Sequence, residues 1–461
     1  IDTDQIPVEK LGKSELDMQQ YRKAFGTCRI PGLPGDTMEF HPDSKHIAIV
    51  VNEVFFKVPV YDENGNILGE NQLQEQIKTC IAAAGNQKPV KIGVLTSDNR
   101  DNWAKAYQEL IKNKTNRQSL SEIQKSLFVL AIDREIPQIT DDITTAEHTL
   151  VTGAGSTRNS GNRWYDKTIQ FVVGTSGING LTYEHSPAEG GPISIMSDFI
   201  IKNVKEQEEG KAQTINGTGS FEQPTLLSFN SSPDIDESIK TASLNIDKLA
   251  ADIDMGYLHF TDFGKNFIKT QKFSPDSFIQ MAIQFAFYRL HHVPGAHYES
   301  AGTRLFVHGR TECIRSCSKE SVAFARAMVE SRDDQEKLQK LKAAIESHKK
   351  YVTQAVQGLG IDRHMLGLKL IAKENGIPVP ELYNDEGYVK SSTYRLSTSQ
   401  VASVYDAFMC YGPLTNDGYG CCYSPRNNDI YFGLSSMNSN AETSTDKFKQ
   451  SLKEALQPFR S

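Results

Sequence analysis

The chain has 461 residues, which exceeds the usual size of a single hydrophobic core and predicts two domains. Its 38% hydrophobic and 23% charged residues are typical of a globular protein, and its net charge of −7 argues against a general nucleic-acid-binding function. No apolar run approaches the length that crosses a bilayer, so we expect no transmembrane segment.

The seven cysteines are scattered along the chain, and two of them, Cys421 and Cys422, are adjacent. An odd and scattered set argues against a disulfide framework and favours a reducing compartment. Cys313 and Cys317 have the i, i+4 spacing of one helical face, but no neighbouring residues complete a zinc set. We therefore expect free thiols and no metal site.

The first half of the chain alternates strand-like and helix-like segments, which predicts an α/β fold with helices layered on a mixed sheet. We expect strands at 46–61, 90–95, 126–132, 168–173 and 181–183, and helices near 18–23, 72–84 and 103–112. From 205 to 223 the composition shifts to polar residues and glycine without apolar periodicity. We place the domain boundary there, giving an N-terminal domain of 1–222 and a C-terminal domain of 223–461.

The second half begins with a helical pattern at 234–258. Ser274, Pro275 and Asp276 predict the start of a long helix, because serine caps helices and proline suits their first turn. Further helices are expected within 319–373 and at 444–456, and extended runs at 404–411, 418–423 and 429–434.

One segment, 183–192, combines a strand end with an irregular turn. His185 follows the second strand of a predicted hairpin, and proline and two glycines come soon after it. A rigid strand aims such a side chain while the loop leaves it reachable, which suits catalysis. Glu189 is close enough in sequence to orient the imidazole. An ordinary surface histidine beside a turn is the alternative.

Five other motifs accompany this segment, and their order and spacing resemble those of a known family. They are 162–167, 298–301, 309–312, 362–364 and 397–400. Together with 183–190, over roughly residues 11–458, the chain resembles the choline/carnitine acyltransferase family, and most resembles its short-chain, carnitine-specific members. The resemblance implies two related domains of the chloramphenicol-acetyltransferase type with an active-site tunnel between them. It also implies reversible transfer of an acetyl group between CoA and L-carnitine.

The resemblance gives His185 the role of general base in a direct attack, with no acyl-enzyme. It assigns Ser399 to the developing oxyanion and Ser397 to the carnitine carboxylate. Residues i and i+2 of a strand face the same side, which suits two donors in one pocket. A Ser-His-Asp nucleophile is disfavoured because the chain has no Gly-x-Ser-x-Gly elbow.

Carnitine differs from choline by a carboxylate, which arginine recognises well. By resemblance Arg363, Thr311 and Tyr298 form the carboxylate cradle. Cys313 stands where the family pattern has a second threonine, and a thiol is a weaker donor, so that contact is expected to be weakened. A purely structural ion pair is the alternative for Arg363.

The resemblance places CoA and the acyl chain as well. The residues expected to contact CoA are Lys265, Lys269, Asp276, Glu299 and Ser300. The two lysines precede a helix N-terminus, which favours phosphate, although solvated lysines are the common explanation of such clusters. Met409 is expected to plug the groove that longer acyl chains occupy in relatives, with Asp198 lining it. Generic core filling also fits Met409.

These assignments imply CoA and acetyl-CoA as substrates, with no permanently bound cofactor and no nucleic-acid partner. We expect a monomeric enzyme of mitochondria, peroxisomes or both, with the cytoplasm as the alternative, and no targeting signal is visible in this chain. Two alternatives stay open: a choline-specific member of the family, and a catalytically silent CoA-binding protein on the same fold.

Overall fold

The computed structural model describes residues 6–211, 215–400 and 403–457. The chain divides into two compact units. The first unit is Gln19–Ala251, and the second unit combines Ile1–Met18 with Asp252–Ser461.

The described strands are β1 (Lys10–Leu11), β2 (Ser14–Glu15), β3 (Thr27–Ile30), β4 (Thr37–Phe40), β5 (His46–Val51), β6 (Val54–Pro59), β7 (Val129–Asp133), β8 (Ile169–Gly174), β9 (Asn179–Tyr183), β10 (Thr225–Leu227), β11 (Ile253–Phe260), β12 (His297–Gly302), β13 (Thr311–Ile314), β14 (Leu396–Gln400), β15 (Tyr419–Pro425) and β16 (Ile430–Met437).

The described α-helices are α1 (Gln19–Arg22), α2 (Glu70–Ala84), α3 (Arg100–Leu110), α4 (Lys114–Lys125), α5 (Asp142–Thr152), α6 (Gly190–Glu208), α7 (Pro233–Asp252), α8 (Lys265–Thr270), α9 (Pro275–His291), α10 (Lys319–Glu330), α11 (Asp334–Val356), α12 (Asp362–Glu374), α13 (Glu386–Ser392) and α14 (Thr445–Leu456). Short 3₁₀ helices lie at Ile92–Ser97 and Glu381–Asn384.

The first unit is built on a six-stranded sheet of order β10-β6-β5-β7-β8-β9. β7 runs parallel to β5 and to β8, whereas β8 and β9 form an antiparallel hairpin. The apolar faces of β5, β7 and β8 pack on α3 and α4 through Trp103, Leu110 and Leu120. The hairpin places the chain after β9 at the edge of this sheet.

The second unit contains a sheet of order β11-β16-β15-β14-β12-β13. β14 is parallel to both neighbours, β12 and β15, and therefore lies inside the sheet. The long helix α9 packs on it and is buried from Ser277 to Tyr288. The hydroxyl of Ser274 accepts a hydrogen bond from the Ser277 N–H, and Pro275 opens the helix, as predicted.

The predicted α/β class is confirmed by these two mixed sheets, and the predicted hairpin before His185 is present. Three segment predictions were wrong. Residues 92–95 belong to a 3₁₀ helix and 90–91 are irregular, 404–411 are irregular backbone, and 253–258 belong to β11 rather than to the preceding helix.

The chain passes from one compact unit to the other between residues 18 and 19 and again between 251 and 252. The domain boundary was placed at 222/223, and that boundary stays a prediction. Residues 212–214 of the predicted linker lie outside the described residues. Among the helices that the structure describes, none combines the length and apolar character needed to span a membrane.

Candidate active site

His185 lies two residues after β9, in the short irregular segment that joins this strand to α6. Its side chain is 55% exposed, and Nδ1 lies 3.6 Å from Oε2 of Glu189. Glu189 is the residue preceding α6, but its side chain makes no capping hydrogen bond to that helix. The imidazole ring also lies 5.1 Å from the ring of Tyr183. A reachable histidine beside a carboxylate is suited to proton transfer.

The segment carrying His185 is held by Glu184, which the sequence did not single out. The Glu184 carboxylate accepts hydrogen bonds from the Ser186 N–H at 3.0 Å and the Ser186 hydroxyl at 2.6 Å. Arg29 Nη1 donates to the same carboxylate at 3.4 Å, and the Glu184 N–H donates to the Thr168 carbonyl. The residues on both sides of His185, Glu184 and Ser186, are therefore held in place by hydrogen bonds.

Segment 162–167 supports this edge of the sheet and does not line an open site. Arg163 is fully buried and binds the Asp133 carboxylate through two bonds of 2.6 Å. Asp166 accepts bonds from Trp103 Nε1 at 2.7 Å and Arg100 Nη1 at 2.5 Å. Buried charges need such pairing, so this motif is structural.

Ser397, Thr398 and Ser399 occupy the middle of β14. The Ser397 hydroxyl donates to the Tyr411 hydroxyl at 3.3 Å, and Ser399 lines a cavity. Thr398 is buried and bonds to groups on α9 and β12. The alternation of the strand separates the two serines from the threonine, and the expectation that both serines reach one pocket stays a prediction.

The three residues predicted to hold a carboxylate converge in the second unit. Arg363 lies in the first turn of α12, and its Nε donates to the Thr311 carbonyl at 2.9 Å. Its Nη2 donates to the Thr311 hydroxyl at 3.3 Å and to the Tyr298 hydroxyl at 3.4 Å. Strand register places Ser397 opposite Tyr298. A guanidinium and three hydroxyl groups therefore lie in one neighbourhood.

Cys313 is fully buried on β13, two residues after Thr311. Its sulfur lies 3.6 Å from the Tyr394 hydroxyl, and burial raises the pKa of the thiol to about 11. Tyr394 in turn donates to Asp362, whose carboxylate binds Arg315 at 2.7 and 3.0 Å. Cys313 therefore contacts the hydrogen-bonded group of Tyr394, Asp362 and Arg315 at the N-terminus of α12. With its raised pKa, the thiol is neutral near pH 7.

Lys265 and Lys269 lie on the short helix α8. Lys265 is half-buried and Lys269 is exposed, and the Lys265 N–H donates to the Arg426 carbonyl. Both positions precede the N-terminus of α9, which adds to the positive potential. The pairing of these lysines with a phosphate stays a prediction.

Asp276, Glu299 and His348 form a buried polar group that the sequence predicted only in part. His348 bridges the Ser277 hydroxyl (2.9 Å) and the Glu299 carboxylate (2.8 Å), and the Ser316 hydroxyl donates to Glu299 at 2.6 Å. Burial and the charge of Glu299 raise the pKa of Asp276 to about 6. Burial lowers the pKa of His348, but its hydrogen bond to Glu299 and the two carboxylate charges outweigh that and raise it.

A cavity of about 190 Å³ adjoins this group. Its polar wall contains Asp276, Glu299, Ser300 and Ser399, and its apolar wall comes from β12, β13 and α11. Three residues predicted to contact CoA therefore share a cavity with the predicted oxyanion donor. An amphipathic chain, apolar with a few amide groups, fits such a lining.

Asp276, Glu299 and His348 each offer one metal-ligand atom, and these atoms lie within 4.8 Å of one another. His348 Nε2 already hydrogen-bonds to Glu299, so a cation would have to displace that bond. The expected absence of a metal site stays a prediction.

Met409 is half-buried in the irregular segment before β15. Its neighbours anchor that segment: Phe408 packs on Tyr257 at 5.5 Å, and the Tyr411 carbonyl accepts from the Ser435 hydroxyl at 2.6 Å. Asp198 lies half-buried on α6, in the first unit. The role of either residue in limiting chain length stays a prediction.

The structure thus brings some of the predicted residues together. His185 and Glu189 meet in the first unit. In the second unit Arg363 meets Thr311 and Tyr298, and Asp276, Glu299, Ser300 and Ser399 line the cavity beside β12, β13 and β14. Sequence reasoning missed Gln280, His297, His348 and Tyr423, because they lie on separate elements and belong to no local motif.

Sequence comparisons with known proteins agree on one family. The profile of the Choline/Carnitine o-acyltransferase family matches residues 1–454. Carnitine O-acetyltransferase of Columba livia is 41% identical over 468 residues, covering 100% of this chain and 74% of the relative. Choline O-acetyltransferase of Danio rerio is 38% identical over 473 residues, with the same two coverages. Among solved structures, the epimerization domain of tyrocidine synthetase B aligns over 73% of this chain and 81% of its own, at 7% identity and a TM-score of 0.36.

Proposed function

Because this chain belongs to the choline/carnitine O-acyltransferase family, we propose that this acyltransferase moves an acetyl group reversibly between CoA and L-carnitine. The observation that carries the choice of alcohol is the convergence of Arg363 on Thr311 and Tyr298. Carnitine has a carboxylate for this cradle, and choline has none.

In the proposed mechanism, His185 removes the proton of the carnitine hydroxyl. The hydroxyl oxygen then attacks the thioester carbonyl directly and forms a tetrahedral intermediate. The Ser399 hydroxyl donates to its oxyanion. As the intermediate collapses, the carbon–sulfur bond breaks and protonated His185 returns the proton to the CoA sulfur. Glu189, 3.6 Å from Nδ1, stabilises the imidazolium and orients its ring.

The cavity beside Ser399 supports a place for the arm of CoA that carries the thioester. Its polar groups, Asp276, Glu299 and Ser300, suit the amides of that arm, and Lys265 and Lys269 suit the 3′-phosphate. A passage between two domains, through which the substrates meet, belongs to the same proposal. Met409 and Asp198 are assigned to the acyl end, where a bulky thioether restricts the chain to acetyl and other short groups. Mitochondria or peroxisomes are the proposed location.

The test is thiol release from acetyl-CoA with carnitine and choline offered separately. We expect the wild type to prefer carnitine and His185→Ala to lose about 10²- to 10⁴-fold in rate, the usual contribution of a general base. His41→Ala is the matched control, because His41 also pairs with a glutamate in the first unit, at 3.2 Å. It should retain wild-type activity.

Preference for choline would reassign the alcohol. An unchanged rate in His185→Ala would remove the proposed base. CoA binding without transfer to either alcohol would leave a catalytically silent CoA-binding protein.

A further inference from the structure

Thr398, between the two serines of β14, has every hydrogen-bonding position of its hydroxyl occupied. It is 1% exposed and donates to the Tyr298 carbonyl at 3.0 Å. Gln280 Nε2 and His297 Nε2 both lie 3.0 Å from the same oxygen, and Gln280 Oε1 is farther away at 3.4 Å. A hydroxyl can donate once and accept twice, so these contacts fill it.

His297 has the protonation state that this arrangement needs. Burial lowers its pKa to about 4, so the ring is neutral near pH 7. Its Nδ1 is buried and has no hydrogen-bond partner among the described residues. The proton therefore lies on Nε2, which donates to Thr398.

These bonds tie together the elements that carry the proposed site. Tyr298, whose carbonyl accepts from Thr398, presents its phenol to Arg363. Gln280 connects Thr398 on β14 to the Tyr423 hydroxyl on β15 at 2.9 Å. Tyr423 continues the chain of bonds to Asp276 at 2.5 Å. One buried hydroxyl thus stands between the carboxylate cradle and the polar wall of the cavity.

We propose that Thr398 is a positioning residue for acyl transfer, holding β14 so that Ser399 is aimed at the developing oxyanion. This inference rests on the proposed function. An oxyanion donor acts through a preorganised geometry, and a misplacement of about 1 Å costs on the order of a hundredfold in rate. Thr398 itself faces away from the reacting atoms.

The experiment compares Thr398→Val, which keeps the shape and removes the hydroxyl, with Thr398→Ser, which keeps the hydroxyl. We expect Thr398→Val to lower kcat by about tenfold to a hundredfold. A melting temperature equal to that of the wild type will show that the variant is folded. Thr398→Ser should restore most of kcat. Thr393→Val is the control, because the exposed Thr393 hydroxyl donates to the Val389 carbonyl in the preceding helical turn.

A double-mutant cycle with Ser399→Ala separates positioning from general packing. Ser399→Ala alone should cost about 10²- to 10³-fold. If Thr398 acts through Ser399, adding Thr398→Val should leave the residual rate nearly unchanged. A full multiplicative loss, or an unchanged kcat in Thr398→Val, overturns the inference.

The same measurements distinguish failure of the proposed function from failure of the role assigned to Thr398. A wild type that transfers to no alcohol overturns both the inference and the proposed function, whereas an active wild type with an additive cycle overturns only the role of Thr398. If Thr398→Val does not fold, Gln280→Met replaces it in the cycle, because it removes one of the two donors to Thr398.

Discussion

Arg363 shows how a surface residue can be both structured and available to a ligand. Its backbone N–H faces the Glu312 carboxylate at 3.3 Å, and its side chain is steered by the Thr311 carbonyl at 2.9 Å. These contacts fix the guanidinium in the first turn of α12 without enclosing it. An arginine held in this way binds a carboxylate with little further loss of side-chain entropy.

We therefore predict that Arg363→Gln raises the KM for carnitine by about tenfold to a hundredfold, since hydrogen bonds to charged groups contribute about 1.5–3 kcal/mol. The rate with choline should not fall, because choline has no carboxylate. Steady-state kinetics with both alcohols measure this. His364→Gln, an exposed change at the next position, is the control. Equal losses with carnitine and choline would assign Arg363 a structural role.

At the scale of single residues, the sequence predicted site residues only where they belong to a motif of the family. Arg363, Thr311 and Tyr298 were assigned from separate motifs and do converge. Gln280 and His297 carry no such signal, because a buried amide or imidazole looks like an ordinary core residue until its partners are known. Their importance depends on a strand register that no single segment contains.

Among the elements, two of the wrong predictions concern segments in which apolar composition was taken as evidence for a strand. Residues 90–95 are mostly apolar but include Lys91 and Gly93, and so short a segment fits a buried strand or a buried helical turn equally well. Residues 404–411 are mostly apolar and aromatic, yet side-chain contacts rather than strand pairing hold them: Phe408 packs on Tyr257, and Tyr411 contacts Ser397 and Ser435. By contrast, the hairpin of β8 and β9 and the capped start of α9 were predicted correctly, because turn and capping residues act locally.

The start of α9 and the middle of β12 bring Asp276 and Glu299 together, and this juxtaposition predicts a pH-dependent stability. Burial and the charge of Glu299 raise the pKa of Asp276 to about 6, above its ordinary value of 3.8. The native protein therefore binds this proton more tightly than the unfolded chain does. The free energy of unfolding should fall as pH rises from about 4 to 7.

Asp276→Asn removes this ionisation and keeps an oxygen that can accept from Tyr423. We expect the variant to be more stable than the wild type by about 1–3 kcal/mol at pH 7, with the difference vanishing towards pH 4. Denaturant unfolding at a series of pH values measures it. Asp446→Asn is the control, because that carboxylate is exposed. A variant less stable than the wild type at pH 7 contradicts the proposed repulsion.

For the whole molecule, one of the two compact units is discontinuous in sequence. The second unit includes the segment through Met18 as well as everything from Asp252 onward, so the chain leaves it and later returns. A composition shift near 205–223 could not reveal this, because the shift marks a polar connection and carries no information about long-range contacts. The contacts that tie the N-terminal segment to the second unit are specific and centre on Arg304.

Arg304 is 8% exposed and donates to the Glu9 carboxylate at 3.2 Å and to the Asp17 carbonyl at 2.8 Å, while the Asp17 N–H donates back to the Arg304 carbonyl. Removing one partner of a fully buried ion pair costs about 3–5 kcal/mol, but the Glu9 side chain is 30% exposed, so the expected cost here is about 1–3 kcal/mol. We predict that Arg304→Met destabilises the second unit by about this amount. Amide hydrogen exchange should accelerate around β1 and β2 while the core of β5 and β7 keeps its protection. Arg326→Met, which removes an exposed pair with Glu330, should change neither. Equal acceleration in β5 and β7 would mean that the N-terminal segment contributes to the stability of the first unit as much as to that of the second.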